Sequence, residues 1–119
     1  MHIWDGVTPV EEILHTRQGL VQSGKIRYFG FSAMPAWVAM KAATIADERR
    51  RPKPIAMQVE YSLVARSIER EHVPVAHESR MGIIPWSPLA GGLSGANPFG
   101  DSKFTDKNWA VLEVIRKIA

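Results

Sequence analysis

The chain has 119 residues, of which 45% are hydrophobic and 23% are charged, a composition typical of one soluble globular domain with its own core. Its 15 basic and 12 acidic residues are interspersed, apart from an arginine run at residues 49–51 that we interpret as the solvated end of a helix, so nucleic-acid binding is disfavoured. The absence of cysteine excludes disulfides, thiolate catalysis and Cys-ligated zinc, and no apolar run approaches the ~20 residues of a membrane span. We therefore predict a cytoplasmic protein with no membrane or nucleic-acid partner, and the four histidines have no spacing that indicates a metal site.

The first helix is predicted from a start signal and a stop signal. Residues 1–6 have the pattern of a strand end that runs into a glycine turn. Thr8 is expected to cap the helix, with Pro9 at the first helical position and Glu11 completing a capping box. Apolar residues from position 10 to position 21 recur at helical spacing, and Gly24 is expected to end the helix.

Strands and helices then alternate along the chain. Strands are predicted at residues 25–32, 55–60 and 82–86, where β-branched, aromatic and aliphatic residues are concentrated. A second helix opens at Pro35. A third is predicted at about residues 68–80, where Pro74 requires either a late start or a kink. A last helix is capped by Thr105 or Asp106.

The predicted strands begin near Ile26, Ile55 and Gly82, 29 and 27 residues apart, with one helix in each gap. This rhythm is that of repeated βα units with parallel strands, and the strands read as apolar on both faces. An open doubly wound sheet and an arc of a (β/α)8 TIM barrel both fit, but no Gly-x-Gly-x-x-Gly turn favours the former. Because a complete barrel takes about 250 residues, the prediction is an α/β chain forming a partial (β/α)8 barrel, roughly half of one.

The segment at residues 82–95 has the strongest functional signal. A short apolar strand passes through Pro85 and Trp86 into a loop that contains Ser87, Gly91 and Gly92. An aromatic ring at a strand's carboxyl end followed by a glycine-rich loop is a common way to bind a nucleotide, although a purely structural loop could have the same pattern.

Three motifs are similar to the aldo-keto reductase family. They are Ser-Gly-Lys-Ile-Arg-Tyr-Phe-Gly-Phe-Ser at residues 23–32, Gln-Val-Glu-Tyr-Ser-Leu at 58–63, and Ile-Pro-Trp-Ser-Pro-Leu-Ala-Gly-Gly at 84–92. The resemblance covers residues 1–119 as one partial oxidoreductase domain from the centre and C-terminal part of the family's barrel. It implies reduction of a small-molecule carbonyl substrate, an aldehyde or ketone, with NADPH or less often NADH.

The resemblance also implies roles for individual residues. His2 matches the family's active-site histidine, which orients the substrate carbonyl. Ser32 and Gln58 match contacts to the nicotinamide carboxamide, and Trp86 stands where many members place a tyrosine that stacks on the nicotinamide. The loop along the cofactor pyrophosphate is matched by Ser87, Leu89, Ala90, Gly91 and Gly92. Ala33 departs from the family, which often has asparagine there.

Each of these roles has a structural alternative. His2 could be a frayed terminal residue, Ser32 a cap for the helix at Pro35, Gln58 a partner of a neighbouring strand end, and Trp86 a core residue.

The family's catalytic Tyr, Lys and Asp precede the matched region, and the basic segment that grips the cofactor phosphate follows it. We therefore expect little or no reductase activity from this chain alone, and favour a fragment of a longer product. Self-association and pairing with a complementing half-barrel remain open. The alternative function is a non-catalytic α/β module that binds a nucleotide or a partner.

Overall fold

The computed structural model describes residues 1–90 and 105–118. Helices and strands alternate along this part of the chain, as the sequence predicts. The elements are α1 (Val10–Gln22), β1 (Phe31–Ser32), α2 (Ala36–Glu48), β2 (Ala56–Glu60), a 3-10 turn (Ser67–Glu69), α3 (His72–Ser79), β3 (Gly82–Trp86) and α4 (Asp106–Ile118).

The described strands form one sheet in the order β1-β2-β3. β1 and β2 are parallel, with Phe31 opposite Met57 and Ser32 opposite Gln58. On the other side of β1, an isolated parallel bridge joins His2 to Ser32. The first residues of the chain therefore extend the sheet, as expected for a strand end.

β3 runs in the same direction as β2. The Gly82 amide donates to the Ile55 carbonyl at 2.9 Å, and the Tyr61 amide donates to the Trp86 carbonyl at 3.3 Å. Because the partners ascend together along both strands, the pair is parallel. The predicted series of parallel βα units is confirmed for the described strands.

The strand predicted at residues 25–32 is much shorter in the structure. Its first amides, those of Lys25 and Ile26, both donate to the Leu20 carbonyl and so close the end of α1 instead of joining the sheet. Gly24, with φ of 72°, makes this left-handed helix end, as predicted. Only Phe31 and Ser32 are left as strand.

The predicted capping role of Thr8 is wrong. Asp5 uses its carboxylate to accept hydrogen bonds from the backbone amides of Val7 and Thr8 and from the Thr8 hydroxyl. Pro9 is the capping residue of α1, and it makes no side-chain cap. An Asx-type turn competes for the same hydroxyl that a capping box would use.

The starts of α3 and α4 agree with the sequence. α3 begins at His72, so Pro74 lies in its first turn. Backbone N–H groups in the first turn have no partner within the helix, so a proline there costs no helical hydrogen bond. The Thr105 hydroxyl accepts a hydrogen bond from the Asn108 amide at 3.3 Å and caps α4. The late start of α3 and one of the two predicted caps of α4 are thus confirmed.

The chain divides into two compact units. The first is Met1–Val59 with Glu69–Ile84, and the second is Glu60–Ile68 with Pro85–Ala119. The first unit holds the main core, built from α1, α2, β1, β2 and α3. Its buried residues are Val10, Ile13, Leu14, Phe29, Phe31, Met34, Val38, Ala39, Ala42, Ala43, Ala46, Met57, Ala76 and Met81. The second unit has a small cluster around Ala90 and Leu112.

The strands read as apolar on both faces in the sequence, but in the first unit they are not buried on both faces. Met57 and Val59 are buried on one face of β2, whereas Gln58 between them is exposed. Ile55 and Ile84 are 46% and 49% exposed. The core residues of the sheet pack with α1 and α2. An apolar sequence on both faces of a strand therefore does not predict that both faces are covered.

No helix in the described ranges is both long and apolar enough to cross a bilayer.

Candidate functional site

The candidate site begins at the backbone of His2, which is held against the carboxyl end of β1. The Ser32 amide donates to the Met1 carbonyl at 2.7 Å, and the Ile3 amide donates to the Ser32 carbonyl at 2.9 Å. The Met1 amino nitrogen donates to the Gly30 carbonyl at 2.8 Å. In the structure His2 is therefore a paired residue at the sheet edge, which argues against its alternative as a frayed terminus.

Three polar side chains meet at this place. The His2 Nδ1 atom lies 3.1 Å from the Ser32 hydroxyl oxygen. The same hydroxyl donates to the Gln58 Oε1 atom at 3.5 Å. Since His2 and Gln58 are exposed and Ser32 is half-buried, the cluster is accessible to a ligand. Neighbouring parallel segments thus bring three of the predicted site residues together, level with the carboxyl end of β1.

Ser32 does not cap α2. The capping residue of that helix is Pro35, and no side chain hydrogen bonds to the helix start. The Ser32 hydroxyl is directed instead to His2 and Gln58. The structure therefore favours Ser32 as a hydrogen-bonding member of the cluster over its alternative as a helix cap.

A left-handed residue follows three of the predicted site residues. Ile3, Ala33 and Ser87 have φ values of 55°, 51° and 54°, and they come directly after His2, Ser32 and Trp86. A non-glycine residue in this region costs about 1–2 kcal/mol, and such strain is concentrated at ligand sites. Sequence reasoning missed this feature because none of the three is glycine or asparagine.

Ala33 joins β1 to β2 at the site. Its amide donates to the Gln58 carbonyl at 3.1 Å, so the backbone beneath the Gln58 side chain is fixed by the left-handed turn. Asparagine adopts this conformation more readily than alanine. Alanine in place of the family's asparagine at position 33 therefore raises the free energy of the backbone conformation and also removes a side-chain amide.

The second unit holds the remaining predicted residues. Trp86 is 43% exposed, so its alternative as a core residue is not supported. A tight turn follows, in which the Ala90 amide donates to the Ser87 carbonyl at 2.8 Å. Leu89 at its tip is 77% exposed, and Ala90 is 5% exposed and packs in the cluster with Leu112. Gly91 and Gly92 lie outside the described residues.

An apolar pocket of about 190 Å³ lies within the second unit. Its one side-chain hydroxyl, that of Ser62, accepts hydrogen bonds from the amides of Val64 and Ala65 at 3.3 and 3.0 Å. The pocket is lined by Ser62, Leu63, Val64, Pro88, Leu89, Ala90, Val111, Leu112 and Ile115. The pocket can hold an apolar group. Sequence reasoning missed the pocket because residues far apart in the chain line it.

Two tryptophans of the first unit form an aromatic pair that the sequence did not indicate as functional. The ring centroids of Trp4 and Trp37 are 5.1 Å apart and the planes meet at 85°. The Trp4 indole donates to the Thr8 carbonyl at 2.9 Å, and Trp37 is 55% exposed. The two rings follow His2 and Ser32 in the chain by two and five residues, and Trp37 leaves much of its surface open.

The described histidines and carboxylates do not form a metal centre. His72 uses its Nε2 atom in a contact of 3.0 Å with the Met34 carbonyl. No group of three His, Asp or Glu side chains comes together within residues 1–90 and 105–118.

Near His2, the pKa of Asp5 is lowered, chiefly by the hydrogen bond from the Thr8 hydroxyl and then by the amides of Thr8 and Val7.

Known proteins give an independent view of the same residues. The chain is 41% identical over 95 residues to the uncharacterized oxidoreductase YrpG of Bacillus subtilis, a match covering 80% of this chain and 29% of the relative. It is 42% identical over 92 residues to versiconal hemiacetal acetate reductase of Aspergillus parasiticus, covering 77% and 27%. It is 33% identical over 92 residues to aryl-alcohol dehydrogenase [NADP(+)] of Phanerodontia chrysosporium, covering 77% and 24%.

These three matches span less than a third of each relative. The model of the Aldo/keto reductase family, in contrast, matches residues 1–119, the whole chain. With the parallel βα units and the polar cluster at the carboxyl end of β1, the match confirms the resemblance drawn from the three motifs: the chain belongs to the aldo/keto reductase family.

Proposed function

We propose that residues 1–119 are one partial oxidoreductase domain, an arc of a (β/α)8 barrel that serves NADPH-dependent reduction of aldehydes and ketones. The observation that carries this proposal is the hydrogen-bonded cluster of His2, Ser32 and Gln58 on neighbouring parallel segments, level with the carboxyl end of β1. In barrels of this class the carboxyl ends of the strands build the active site. The names of two relatives, a reductase and an NADP(+) dehydrogenase, support the same chemistry.

Ser32 and Gln58 are proposed to hold the nicotinamide carboxamide. A glutamine side chain has two N–H donors and one accepting oxygen. With its Oε1 atom accepting from Ser32, Gln58 keeps its Nε2 donors for the carboxamide oxygen. His2 is then the residue that orients the substrate carbonyl next to the nicotinamide ring.

Trp86 is proposed to stack on the nicotinamide, because its ring is 43% exposed and offers the flat surface that such stacking needs. Ser87, Leu89, Ala90, Gly91 and Gly92 are proposed to follow the pyrophosphate. NADPH is the proposed cofactor over NADH on the basis of the family resemblance and the NADP(+) in a relative's name.

Aromatic carbonyl compounds are the proposed substrates. Several relatives are named aryl-alcohol dehydrogenases. In this chain the exposed Trp37 ring, fixed edge-on against Trp4, supplies an aromatic surface at the start of α2. Aromatic side chains bind aromatic rings in offset or edge-to-face geometry.

The cofactor proposal is tested by titration of the purified chain with NADPH, followed by nicotinamide fluorescence. Gln58→Leu removes the proposed carboxamide contact, and we expect affinity to fall about tenfold, the effect of roughly one hydrogen bond. Gln22→Leu is the matched control, since Gln22 is an exposed glutamine of α1. Equal affinity of wild type and Gln58→Leu would refute the assigned contact.

The isolated chain is proposed to lack significant turnover. Hydride transfer needs a proton donor for the developing alkoxide, and the family's Tyr, Lys and Asp are not matched by residues of this chain. A steady-state assay with NADPH and 4-nitrobenzaldehyde at micromolar protein checks this. Turnover clearly above background would show that another donor acts.

A non-catalytic half-barrel is the second candidate, and the exposed apolar residues of the sheet favour it. Ile55 and Ile84 are 46% and 49% exposed although both belong to predicted core strands. Self-association or a complementing half-barrel would bury them. Light scattering of the eluting chain distinguishes the cases: Ile84→Ser should shift a dimer toward monomer, and a monomeric wild type would rule out self-association.

A further inference from the structure

We propose that a polar cleft between α1 and the C-terminal end of α2 binds a phosphate group, either as the free ion or at the end of a small phosphate ester. The cleft has a volume of about 130 Å³, and its lining includes His15, Gln18, Arg49 and Arg51. This volume is many times the space that one water molecule needs, so the cleft admits an oxyanion of a few heavy atoms. The proposed function uses none of these residues, and the inference therefore goes beyond it.

A turn at the end of α2 brings two of the three consecutive arginines to the cleft. Arg50 has φ of 49°, in the left-handed region. Its amide donates to the Asp47 carbonyl at 3.0 Å, and the Arg51 amide donates to the Ala46 carbonyl at 2.9 Å. Together these features form a Schellman motif, in which glycine is the usual left-handed residue. Arg49 and Arg51, on either side of that residue, line the cleft, whereas Arg50 does not.

The backbone is fixed on both sides of the Arg51 side chain. The Arg51 amide is bound to the end of α2, and the carbonyl of the next residue, Pro52, accepts a hydrogen bond from the Gln18 Nε2 atom at 3.3 Å. Gln18 is 8% exposed, so packing within the first unit holds its side chain in place. α1 therefore fixes the position of the chain that leaves α2, and Gln18 is a positioning residue for Arg51.

Positive charge is in excess at the cleft. Among the described residues that line it, Glu11 is the one acid, and its Oε1 atom lies 2.9 Å from Lys41 Nζ. The pKa of Glu11 is lowered chiefly by the hydrogen bond from Lys41, and the charge of Arg49 adds to the lowering. Within residues 1–90 and 105–118, neither Arg49 nor Arg51 forms an ion pair with a carboxylate. Three cationic groups thus lie near one carboxylate, and an anion would compensate the excess.

The donors at the cleft suit a tetrahedral oxyanion. A guanidinium group presents its N–H groups as a planar fork that binds two phosphate oxygens at once. His15 lies on the same face of α1 as Glu11 and Gln18, at helical spacings of four and three residues. Its imidazole can donate a further N–H. A carboxylate has only two oxygens, so it makes fewer of these hydrogen bonds than a phosphate group does.

The cleft is distant from the polar cluster of His2, Ser32 and Gln58. α2 begins at Ala36, just after Ser32, and its 13 residues span about 20 Å. The chain then returns to the amino end of β2 at Ala56. The cleft therefore lies toward the amino ends of the strands, whereas the cluster is level with the carboxyl end of β1.

The test is a titration with sodium phosphate of the 119-residue chain, labelled with ¹⁵N in its arginines, near neutral pH and at constant ionic strength. We expect the side-chain Nε–H signals of Arg49 and Arg51 to shift and to saturate, while that of Arg50 stays in place. Each signal is assigned by its loss in the corresponding single variant. A parallel titration with glycerol phosphate distinguishes the two sources, because the free ion and the ester are compared directly. Saturable binding of either one supports the site.

The run of three arginines supplies a matched control. Arg51→Gln removes a charge-assisted donor, so phosphate affinity should fall about tenfold or more. Arg50→Gln makes the same change in net charge one residue away, and it should change the affinity by less than about twofold, because salt screens an exposed charge that makes no contact. Arg50 and Arg51 are both exposed, so neither substitution disturbs the core, and circular dichroism checks the fold of each variant.

Equal losses of affinity in Arg50→Gln and Arg51→Gln would show that phosphate responds to net charge alone, and would overturn the inference. Shifts that rise without saturation, or an acetate titration with the same affinity as phosphate, would also overturn it. The titrations contain no cofactor, so their outcome is independent of NADPH binding at the candidate site.

Discussion

α2 and α4 are helices of the same length, 13 residues, with opposite degrees of burial. α2 buries six residues, all of them alanine or valine. α4 buries Leu112 alone, while Trp109, Val114 and Ile118 are 45%, 55% and 81% exposed. Both helices carry an apolar face, but that of α2 belongs to the main core, whereas that of α4 contributes Leu112 to the small cluster with Ala90.

The difference shows what helical periodicity can and cannot predict. Small side chains allow α2 to approach its neighbours closely, and Val38, Ala39 and Ala42 reach zero exposure in the first unit. The larger side chains of α4 form a face that needs another layer to cover it. The comparison predicts that stability is concentrated in the first unit, and substitutions can test this from the largest effect to the smallest.

The largest effect is expected in the core of the first unit. Leu14 is 2% exposed, so Leu14→Ala should lower the free energy of unfolding by about 2–5 kcal/mol. Ile118→Ala in α4, where the side chain is 81% exposed, should change it by less than about 0.5 kcal/mol. Urea unfolding followed by circular dichroism measures both. Similar losses would mean that α4 is as well covered as α1.

The next effect tests backbone packing within the sheet. A Cβ at Gly30 would lie 2.6 Å from the Ala56 carbonyl oxygen, so Gly30→Ala forces the strands apart and should cost about 1–3 kcal/mol. Gly19, inside α1, has nothing within 4 Å of its Cβ position. Gly19→Ala should therefore stabilise by about 0.5–1 kcal/mol. A neutral Gly30→Ala would contradict the close approach of the two segments.

Much of the fold could be predicted from the sequence, because periodicity and turn residues act locally. The stop at Gly24 and the late start before Pro74 both follow from the backbone properties of those residues. The capping error at Thr8 arose from competition, since Asp5 takes the same hydroxyl. The shortened strand before Phe31 was unpredictable for a similar reason: its first amides had an alternative acceptor in α1.

The sequence predicted which residues belong to the candidate site, but it did not predict how their side chains contact one another. Family motifs selected His2, Ser32 and Gln58, and no local pattern indicates that they hydrogen bond in a row. The left-handed turns at Ile3 and Ala33 were equally hidden, because tertiary structure imposes them on residues that do not prefer them.

A smaller effect is expected where the first unit stores strain. Ala33 has φ of 51°, so Ala33→Asn should stabilise the chain by about 0.5–1 kcal/mol, since asparagine tolerates this conformation. Ala110, exposed in the middle of α4, is the control. There the same substitution should destabilise by up to about 0.7 kcal/mol through helix propensity. Thermal unfolding compares the two, and the same sign at both positions would argue against strain at Ala33.

The smallest effect concerns acid stability. In the first unit the pKa of Asp5 is lowered mainly by the Thr8 hydroxyl, and the pKa of Glu11 and Asp47 is lowered mainly by Lys41 and Lys53. Because the pKa of Asp5 is lower in the folded than in the unfolded state, its carboxylate stabilises the fold above the ordinary aspartate pKa of 3.8. That contribution is lost as the pH falls through the folded pKa.

Thr8→Ala removes the main cause of the shift at Asp5 and keeps the two backbone donors, so the difference in unfolding free energy between neutral and acid pH should shrink. Thr8→Ser keeps a hydroxyl and should retain the wild-type difference. The shift in the pKa of Asp5 is caused by a neutral hydroxyl and not by a cation, so the effect of Thr8→Ala should persist in salt. The same salt should screen the exposed ion pair of Glu11 and Lys41, in which the Oε1 and Nζ atoms are 2.9 Å apart. Urea midpoints near pH 7 and pH 3 with and without salt check both points. An unchanged pH difference in Thr8→Ala would place the acid sensitivity of the first unit in its surface ion pairs instead of the turn beside His2.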